Sequence, residues 1–443
     1  MNPFRQLNTM RLWLIPGMGV KRHVALAVIG TLIMIIGVIA DALWVLAGNR
    51  EVVSAPIENV LVSDTWQVLG GWISLFVTVF GLGLAILAIA RLNRSLLSNW
   101  MARPREAAVV LHQRLSLAKG PHIVAIGGGT GLSNLLRGLR RHTSNLTAVV
   151  TVSDDGGSSG RLRSAFDMPA PGDLSDCLAA LSDNELEVSR LLEYRFSRGN
   201  ELAGHTFGNL FITTLTEVEG DFAKAIRVLN SLLNLTGAVY PVSPDPISLS
   251  ALKENGETIK GESKVSTVPG PITKIMIEPT QPKATPEVIH NLLNAEIVVL
   301  GPGSLFTSTL PPLLVPAVRR AFLQTRAKII YICNIMTEAG ETDYFDAFDH
   351  VRALHAHLGR YPNEVIINRT PVDATRIENY RRESAEVVAF DPEPFERLGI
   401  RVTPLPLLSS GPHAQHDSQT LANWLCESAK GPSPVPQGKT VLS

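Results

Sequence analysis

Hydrophobic residues follow two different patterns along this 443-residue chain. The first hundred residues contain two long apolar runs. After residue 120, short apolar runs that end in glycine or polar residues alternate with segments whose leucines recur at helical spacing. Short runs of this kind are typical of buried parallel strands. The pattern therefore predicts two apolar helices followed by an α/β domain with a doubly wound, mostly parallel sheet.

Each long apolar run is long enough to cross a bilayer as a helix. The runs cover about residues 24–47 and 69–90, and Asp41 is the charge that interrupts the first of them. A cleaved signal peptide is the alternative for the first run, but that run is too long and a second span with a basic flank follows it. We therefore expect residues 1–94 to form a membrane anchor with two transmembrane helices, and Asp41 to be hydrated near its outer end.

The distribution of charge predicts how this anchor is oriented. Basic residues flank the pair of runs on both outer sides, and the short loop between the runs carries mixed charge. The positive-inside rule then gives a two-pass protein of the inner or plasma membrane, with both termini and the following domain in the cytoplasm. Residues 95–120 form a basic linker, which either lies along the inner leaflet or is a plain linker helix; we favour the second.

The remaining chain divides into one domain, residues 121–428, and a tail, residues 429–443. The tail is rich in Pro, Gly and Ser and is predicted to be disordered. Within the domain, the segment Ser248–Lys260 has the alternation of a β-hairpin with Asn255 and Gly256 at its tip. Pro286–Asn294 is predicted to be a helix that begins with proline.

The first crossover of the domain carries the clearest chemical signal. An apolar run ends in a turn with four glycines in five residues, and a leucine-rich helix follows. Glycine lets the backbone approach a ligand, and the amides that open a helix attract anions, so a phosphate or diphosphate suits this turn. Leu132 breaks the dinucleotide fingerprint, and a tight turn without a ligand is the alternative. The turn consists of Gly127, Gly128, Gly129, Thr130 and Gly131.

Two carboxylates, Asp154 and Asp155, follow the second predicted strand. One of them could accept a hydrogen bond from a ribose hydroxyl, or either could bind a Mg²⁺ ion that bridges a diphosphate. The alternative is that they cap the glycine-rich loop. Arg161 and Arg163 come next and either close over phosphates or lie on a solvated face.

Other polar residues are expected near the same edge of the sheet. Asp173 is placed to cap a helix. His205 and Asn209 share one helix face if their segment is helical. A second glycine turn comprises Gly301, Pro302, Gly303 and Ser304. Ser304 and Thr307 open the next helix, where they either donate to a second phosphate or sugar or act as ordinary caps.

Composition excludes several classes of function. The formal net charge is +0, so the overall charge gives no reason to expect a nucleic-acid partner. Cys177, Cys333 and Cys426 are far apart in the sequence, which argues against a zinc site or a disulfide framework and suits a reducing compartment. No Ser/His/Asp or Cys/His triad can be assigned, so the catalytic residues are left unknown.

Five motifs occur in the order and at the spacing of a known family. They are Gly127-Gly-Gly-Thr-Gly131, Asp154-Asp-Gly-Gly-Ser-Ser-Gly-Arg-Leu-Arg163, Gly204-His-Thr-Phe-Gly-Asn209, Gly301-Pro-Gly-Ser304 and Cys333-Asn-Ile-Met-Thr337. Together they resemble the YvcK-like proteins, called gluconeogenesis factors, in the wider superfamily of 2-phospho-L-lactate transferase (CofD). The resemblance covers roughly residues 121–407.

The resemblance implies a Rossmann-like domain that binds a nucleotide diphosphate. YvcK relatives bind UDP-sugars and support cell-wall growth and cell shape on gluconeogenic carbon. CofD relatives transfer a phospholactyl group from a guanosine diphosphate donor with a divalent metal. This chain departs from the family in having Ser175 and Asp176 where an Arg-Asn pair often stands, and the two predicted membrane spans lie outside the resemblance.

Three functions follow from these observations. The first is a membrane-anchored nucleotide-sugar sensor that regulates envelope metabolism without turnover. The second is a metal-dependent, CofD-like transferase of phosphorus-containing groups. The third, a nicotinamide-dependent oxidoreductase, is disfavoured by the incomplete glycine fingerprint. We favour the sensor, because the resemblance to YvcK is closer than that to CofD.

The expected ligands and site residues are as follows. The partners are a UDP-sugar or other nucleotide diphosphate and the lipid bilayer, and the oligomeric state, a homo-oligomer included, is left open. Mg²⁺ is the expected cofactor, with Asp154 and Asp155 as its ligands, and no tightly bound organic cofactor is expected. The predicted nucleotide-binding residues are Gly127, Gly128, Gly129, Thr130, Gly131, Asp154, Arg161, Asn209, Gly301, Gly303 and Ser304.

Overall fold

The computed structural model describes residues 20–48, 64–98 and 107–429. The chain separates into two compact units, residues 1–113 and residues 114–443, which are described one at a time. The loop between the predicted spans, the first part of the predicted linker and the predicted tail beyond Ala429 lie outside the described residues.

The N-terminal unit contains the two predicted apolar helices, α1 (Val20–Gly48) and α2 (Asp64–Ser98). By length and composition, both are apolar enough to cross a membrane. Their backbones approach closely where glycines meet: a methyl carbon added to Gly30 would lie 2.6 Å from the amide nitrogen of Ala85. Small residues at a helix contact allow this approach, which suits packing within lipid. A third helix, α3 (Ala107–Leu117), follows in the chain.

Asp41, which we expect from the sequence to be hydrated near the outer end of its helix, also contacts the neighbouring helix α2. Its two carboxylate oxygens accept hydrogen bonds from Ser74 Oγ and, at 3.2 Å, from Thr78 Oγ1, both on the neighbouring helix α2. An apolar surrounding offers a carboxylate few partners, and the two hydroxyl groups, four residues apart on α2, supply hydrogen bonds to it.

The C-terminal unit is built on a seven-stranded sheet in the order β10-β9-β8-β7-β1-β2-β3, and every pair of neighbouring strands is parallel. The predicted fold class is therefore confirmed. Its strands are β1 (Ile123–Gly127), β2 (Leu146–Val150), β3 (Ala238–Pro241), β7 (Ile297–Leu300), β8 (Lys328–Ile332), β9 (Glu364–Asn368) and β10 (Arg401–Leu405).

Helices cover this sheet and supply the rest of the core. Leu132, Leu135, Leu136 and Leu139 are at most 1% exposed, as their helical spacing predicts, and each buried leucine contributes about 1.5–3 kcal/mol. The helices are α4 (Gly129–Leu139), α5 (Gly157–Phe166), α6 (Gly172–Leu181), α7 (Glu185–Leu192), α8 (Phe207–Glu219), α9 (Phe222–Leu232), α10 (Glu262–Val265), α11 (Pro286–Asn294), a π-helix (Leu305–Thr309), α12 (Leu310–Leu314), α13 (Pro316–Gln324), α14 (Ala347–Leu358), α15 (Ala374–Arg382), α16 (Glu393–Leu398) and α17 (Ser418–Ser428).

A small antiparallel sheet, ordered β5-β4-β6, is inserted between β3 and β7. Its strands are β4 (Ser248–Lys253), β5 (Thr258–Lys260) and β6 (Ile272–Glu278). The predicted hairpin is confirmed, since β4 and β5 pair in antiparallel register on either side of Asn255 and Gly256.

The amino group of Lys253 ties this small sheet to the loop that follows β8. The side chain is 1% exposed, and its ammonium donates to the carbonyl oxygens of Val268 at 2.9 Å, Gly270 at 3.0 Å and Gly340. Burial lowers the pKa of Lys253, and the carboxylates of Asp343 and Glu341 act in the opposite direction. These three hydrogen bonds therefore join the segment before β6 to the loop after β8.

We expect Lys253→Met to lower the free energy of unfolding by about 3 kcal/mol, because three buried carbonyls lose their donor. Thermal and chemical unfolding of the full chain would measure the change. Lys260→Met is the matched control, since Lys260 is exposed on the adjacent strand β5. Equal stability of the two variants would contradict the structural role of Lys253.

Candidate functional site

The two glycine turns meet at the carboxyl edge of the sheet. One follows β1 and the other follows β7, which are neighbouring strands whose connections leave in opposite directions. A methyl carbon on Gly131 would lie 2.9 Å from the carbonyl carbon of Pro302 and closer still to its oxygen. A ligand of an open α/β sheet binds in the crevice at such a point.

A cavity of about 220 Å³ opens beside this contact. The two glycine turns form one wall, and the loops after β8 and before α17 form the others. Several lining residues were not predicted from the sequence, because they come from segments that lie far apart in the chain. The polar groups that line the cavity belong to Thr130, Asn134, Asn334, Thr337, Glu338, Tyr380, Gln415, His416 and Ser418.

Two of these lining residues hold the cavity wall in place. Burial lowers the pKa of His416 to about 4, so its imidazole is neutral at pH 7, and Nε2 lies 3.1 Å from the carbonyl oxygen of Cys333. The hydroxyl oxygen of Tyr380 accepts a hydrogen bond from the amide of Ala414 at 3.1 Å. These contacts fix the segment before α17 against the loop after β8 and against helix α15.

Asp173 lies on α6 and does not cap that helix, which corrects our expectation; its carboxylate instead contacts the first glycine turn. Helix α6 begins at Gly172 with Pro171 as its N-cap residue, and the carboxylate of Asp173 accepts a hydrogen bond from the amide of Gly129. The partial positive charge on the opening amides of α4 explains this contact. Part of the predicted phosphate-binding turn is thus already occupied by a carboxylate.

Asp173 belongs to an acidic cluster with Asp154 and Glu262. Burial, together with the charges of Asp154 and Asp176, raises the pKa of Asp173 to about 7. Burial, followed by Asp154 and Asp173, raises the pKa of Glu262 to about 8. Carboxylates that crowd together retain protons near neutral pH unless a cation joins them. Glu262 lies on the four-residue helix α10 and was not predicted from the sequence.

Asp155, the other predicted metal ligand, is directed towards a different loop. Its Oδ1 accepts a hydrogen bond from the amide of Ser263 at 2.8 Å, whereas Oδ1 of Asp154 accepts one from the amide of Gly156 at 2.8 Å. Arg163 donates to the carbonyl of Ser153 and to Ser248 Oγ. Both Asp155 and Arg163 therefore fasten the loop after β2 to the inserted small sheet.

Asn209 lies in a buried polar network beneath the first turn of α5. Its amide nitrogen donates to Ser158 Oγ at 3.1 Å and to Ser159 Oγ at 3.3 Å, and His205 Nδ1 lies 2.9 Å from Ser158 Oγ. We expected His205 and Asn209 to share one helix face. Thr206 is the N-cap residue and α8 begins at Phe207, so His205 lies outside the helix. Both side chains nevertheless converge on Ser158.

Arg161 lies on α5 but does not line the cavity. Its Nη2 atom donates to the carbonyl of Ala203 at 3.3 Å.

Ser304, in the second glycine turn, donates to Glu338 Oε1 at 2.9 Å, and Thr307 Oγ1 lies 3.4 Å from Glu341 Oε1. Burial raises the pKa of Glu338 to about 7 and that of Glu341 well above its usual value.

The carboxylates of this site can hold a metal ion only if a bound ligand supplies further oxygen atoms to it. Among the described residues, no three His, Cys, Asp or Glu side chains are arranged to hold a metal ion by themselves. Mg²⁺ commonly takes one or two carboxylates and completes its shell with phosphate oxygens and water. Asp154 and Asp173 meet that limited requirement beside the first glycine turn.

Comparisons with known proteins agree with this geometry. The family model described as 2-phospho-L-lactate transferase CofD matches residues 123–408. The gluconeogenesis factor of Bacillus subtilis is 39% identical over 316 residues, which are 71% of this chain and 100% of that protein. A relative from Deinococcus radiodurans is 40% identical over 434 residues, 97% of this chain and 91% of the relative, so that match extends into the apolar N-terminal helices.

A solved structure shows the same fold. Protein BH3568 from Bacillus halodurans has a TM-score of 0.67 and 38% identity, and the match covers 69% of this chain and 99% of that chain. Together with the matches in sequence, this similarity extends over the whole sheet and both glycine turns. The chain therefore belongs to the gluconeogenesis factor family, whose domain is of the CofD type.

Proposed function

We propose that this protein is a membrane-anchored regulatory protein that binds a nucleotide diphosphate, most favourably a UDP-sugar. The observation that carries the proposal is the contact between the two glycine turns beside a 220 Å³ cavity at the switch point of the sheet. Helix α4 begins at Gly129 within the first glycine turn and the π-helix begins at Leu305 after the second, and the amides that open a helix suit a diphosphate.

The cavity chemistry supports a nucleoside and a sugar beside the diphosphate. Asn334, Glu338 and Gln415 offer both donors and acceptors to hydroxyl groups and to a base. Glu338 Oε2 is buried and has no hydrogen-bond partner among the described residues, so it is available to accept from a ligand hydroxyl. The predicted link to cell-wall growth, cell shape and gluconeogenic carbon rests on the family resemblance.

Calorimetry of the full chain in nanodiscs tests the ligand. We expect UDP-N-acetylglucosamine or UDP-glucose to bind more tightly than GDP, and GDP more tightly than NAD. Ligands are compared at one ionic strength, because salt screens the charged diphosphate. A preference for NAD would overturn the sensor and favour the oxidoreductase.

The membrane anchor is a separate part of the proposal. Helices α1 and α2 support it by length and composition, and the flanking basic residues favour a cytoplasmic domain. We expect the full chain to stay in the membrane pellet after alkaline carbonate extraction, and a protease added outside intact spheroplasts to leave the domain uncut. Release by carbonate would show that α1 and α2 do not span the bilayer.

The acidic cluster favours a second candidate, a metal-dependent transferase acting on a nucleotide diphosphate donor. Asp154, Asp173 and Glu262 lie beside the first glycine turn, where a divalent cation bound to the donor would neutralise them. Asp154 and Asp173 would hold that cation, which would stabilise the charge on the nucleoside monophosphate that leaves when the bond between the two phosphates of the donor breaks. Release of nucleotide from a donor in the presence of an acceptor would distinguish this enzyme from a sensor without turnover.

A further inference from the structure

Two arginines from different elements converge on one short loop outside the cavity. Arg161 extends from α5, and its Nη2 donates to the carbonyl of Ala203 at 3.3 Å. Arg195 follows α7, and its Nη1 donates to the carbonyl of Gly204 at 2.7 Å. These carbonyls belong to consecutive residues, so the two guanidinium groups contact the same short loop, and the charges of both act on His205.

Neither guanidinium forms an ion pair with a carboxylate of the residues that the structure describes. Each arginine uses one donor on a backbone carbonyl and is exposed, which leaves most of its five N–H donors directed to solvent. By contrast, Arg137 and Arg140 share the carboxylate of Glu185. Two adjacent positive groups without an acid repel each other unless an anion joins them.

The loop beneath these arginines is held rigidly. Gly204 has a φ of +83°, and a side chain there would lie 2.9 Å from Arg161 Nη2. His205 follows it and is 7% exposed, and its Nδ1 lies 2.9 Å from Ser158 Oγ. Burial lowers the pKa of His205, and the charges of Arg161 and Arg195 lower it further, which places both guanidiniums close to the imidazole.

We propose that Arg161 and Arg195 form a second anion site, which binds the phosphate group of a small phosphorylated metabolite. A carboxylate is satisfied by one guanidinium fork, whereas a phosphate dianion offers three oxygens and enough charge for two. The site is independent of the nucleotide proposal, since neither arginine lines the cavity.

The site is coupled to the acidic cluster through α5. That helix carries Arg161 and also Ser158 and Ser159, which Asn209 holds. Ser159 in turn lies against Gly172, where an added methyl carbon would also lie 3.5 Å from Asp154 Oδ2. An anion bound at the arginines is therefore placed to act on the position of the loop that carries Asp154.

The test is a titration of the full chain in non-ionic detergent with inorganic phosphate and glycerol 3-phosphate, at constant ionic strength. We expect Arg195→Gln to weaken phosphate binding by about tenfold or more, as expected for a lost charge-assisted hydrogen bond. Arg320→Gln is the matched control on the distant helix α13 and is expected to bind as the wild type does. Arg195→Lys, which keeps the charge and loses the fork, is expected to be intermediate.

Each other outcome overturns the proposal. Absence of phosphate binding to the wild type, or equal binding by Arg195→Gln with a melting temperature unchanged from the wild type, excludes a site at these arginines. Competition by acetate as strong as that by phosphate would contradict the preference for a phosphate. Binding that requires phosphatidic acid vesicles, with none to glycerol 3-phosphate, would assign the site to a lipid headgroup and contradict a soluble ligand.

Discussion

Gly131→Ala is expected to weaken nucleotide binding by about 100-fold, or roughly 2.7 kcal/mol. A methyl carbon at this position would lie 2.9 Å from the carbonyl carbon of Pro302, so the two glycine turns would have to move apart. Alanine itself favours a helix over glycine, so the loss arises from the contact between turns and not from helix propensity. Calorimetry with a UDP-sugar measures the effect.

Gly127→Ala is the matched control for this substitution, because Gly127, although predicted from the sequence to bind the nucleotide, is the last residue of β1 and does not line the cavity. The same methyl group there meets its nearest neighbour, Leu132 Cβ, at 3.7 Å, which is an ordinary van der Waals distance. We expect this variant to bind as the wild type does, within about twofold. Equal affinities for the two variants, with Gly131→Ala folded, would show that the contact between the turns does not shape the binding site.

Asp173→Asn is expected to change the nucleotide affinity in opposite directions in the absence and in the presence of Mg²⁺. Without a metal, the variant should bind a nucleotide diphosphate at least tenfold more tightly, because a negative charge beside the diphosphate is removed. With Mg²⁺, it should bind more weakly than the wild type, because a metal ligand is lost. Titrations with Mg²⁺ and with EDTA measure both, and Glu217→Gln, an exposed acid on α8, is the control. Identical metal dependence in the variant and the wild type would remove Asp173 from the site.

The same substitution should also change how stability depends on pH. The pKa of Asp173 is about 7 in the folded protein, above its ordinary value of 3.8, so its contribution is fully present below pH 3.8 and is lost as the pH rises to about 7. Asp173 is largely buried, but solvent still reaches part of the side chain and screens its charge, so we expect Asp173→Asn to be more stable than the wild type by about 2 kcal/mol at pH 8. Unfolding curves of both proteins at pH 5 and pH 8 measure this difference, which should shrink at the lower pH.

The sequence predicts the fold well because its signals are local. The apolar run Ile123–Gly127 and the leucines of α4 have the periods of a buried strand and a helix, and both were found where expected. The proline-initiated helix α11 and the hairpin tip at Asn255 follow from turn and cap chemistry that depends on few neighbours.

The site is predicted less completely, because its geometry depends on long-range contacts. Asp173 has the sequence context of a cap, yet its carboxylate accepts a hydrogen bond from the amide of Gly129, which the sheet brings near. Glu262 and Tyr380 come from segments whose patterns carry no motif. The sequence shows Asp154 and Asp155 as a pair, but the inserted sheet draws Asp155 away from Asp154 towards Ser263.

A structure of the full chain with a bound UDP-sugar tests the central claim most directly. We expect the diphosphate to lie within hydrogen-bond distance of the amides of residues 130, 131 and 303–305, with the rest of the ligand in the cavity lined by Asn334 and Gln415. A diphosphate found away from both glycine turns, with those turns unchanged, would contradict the account.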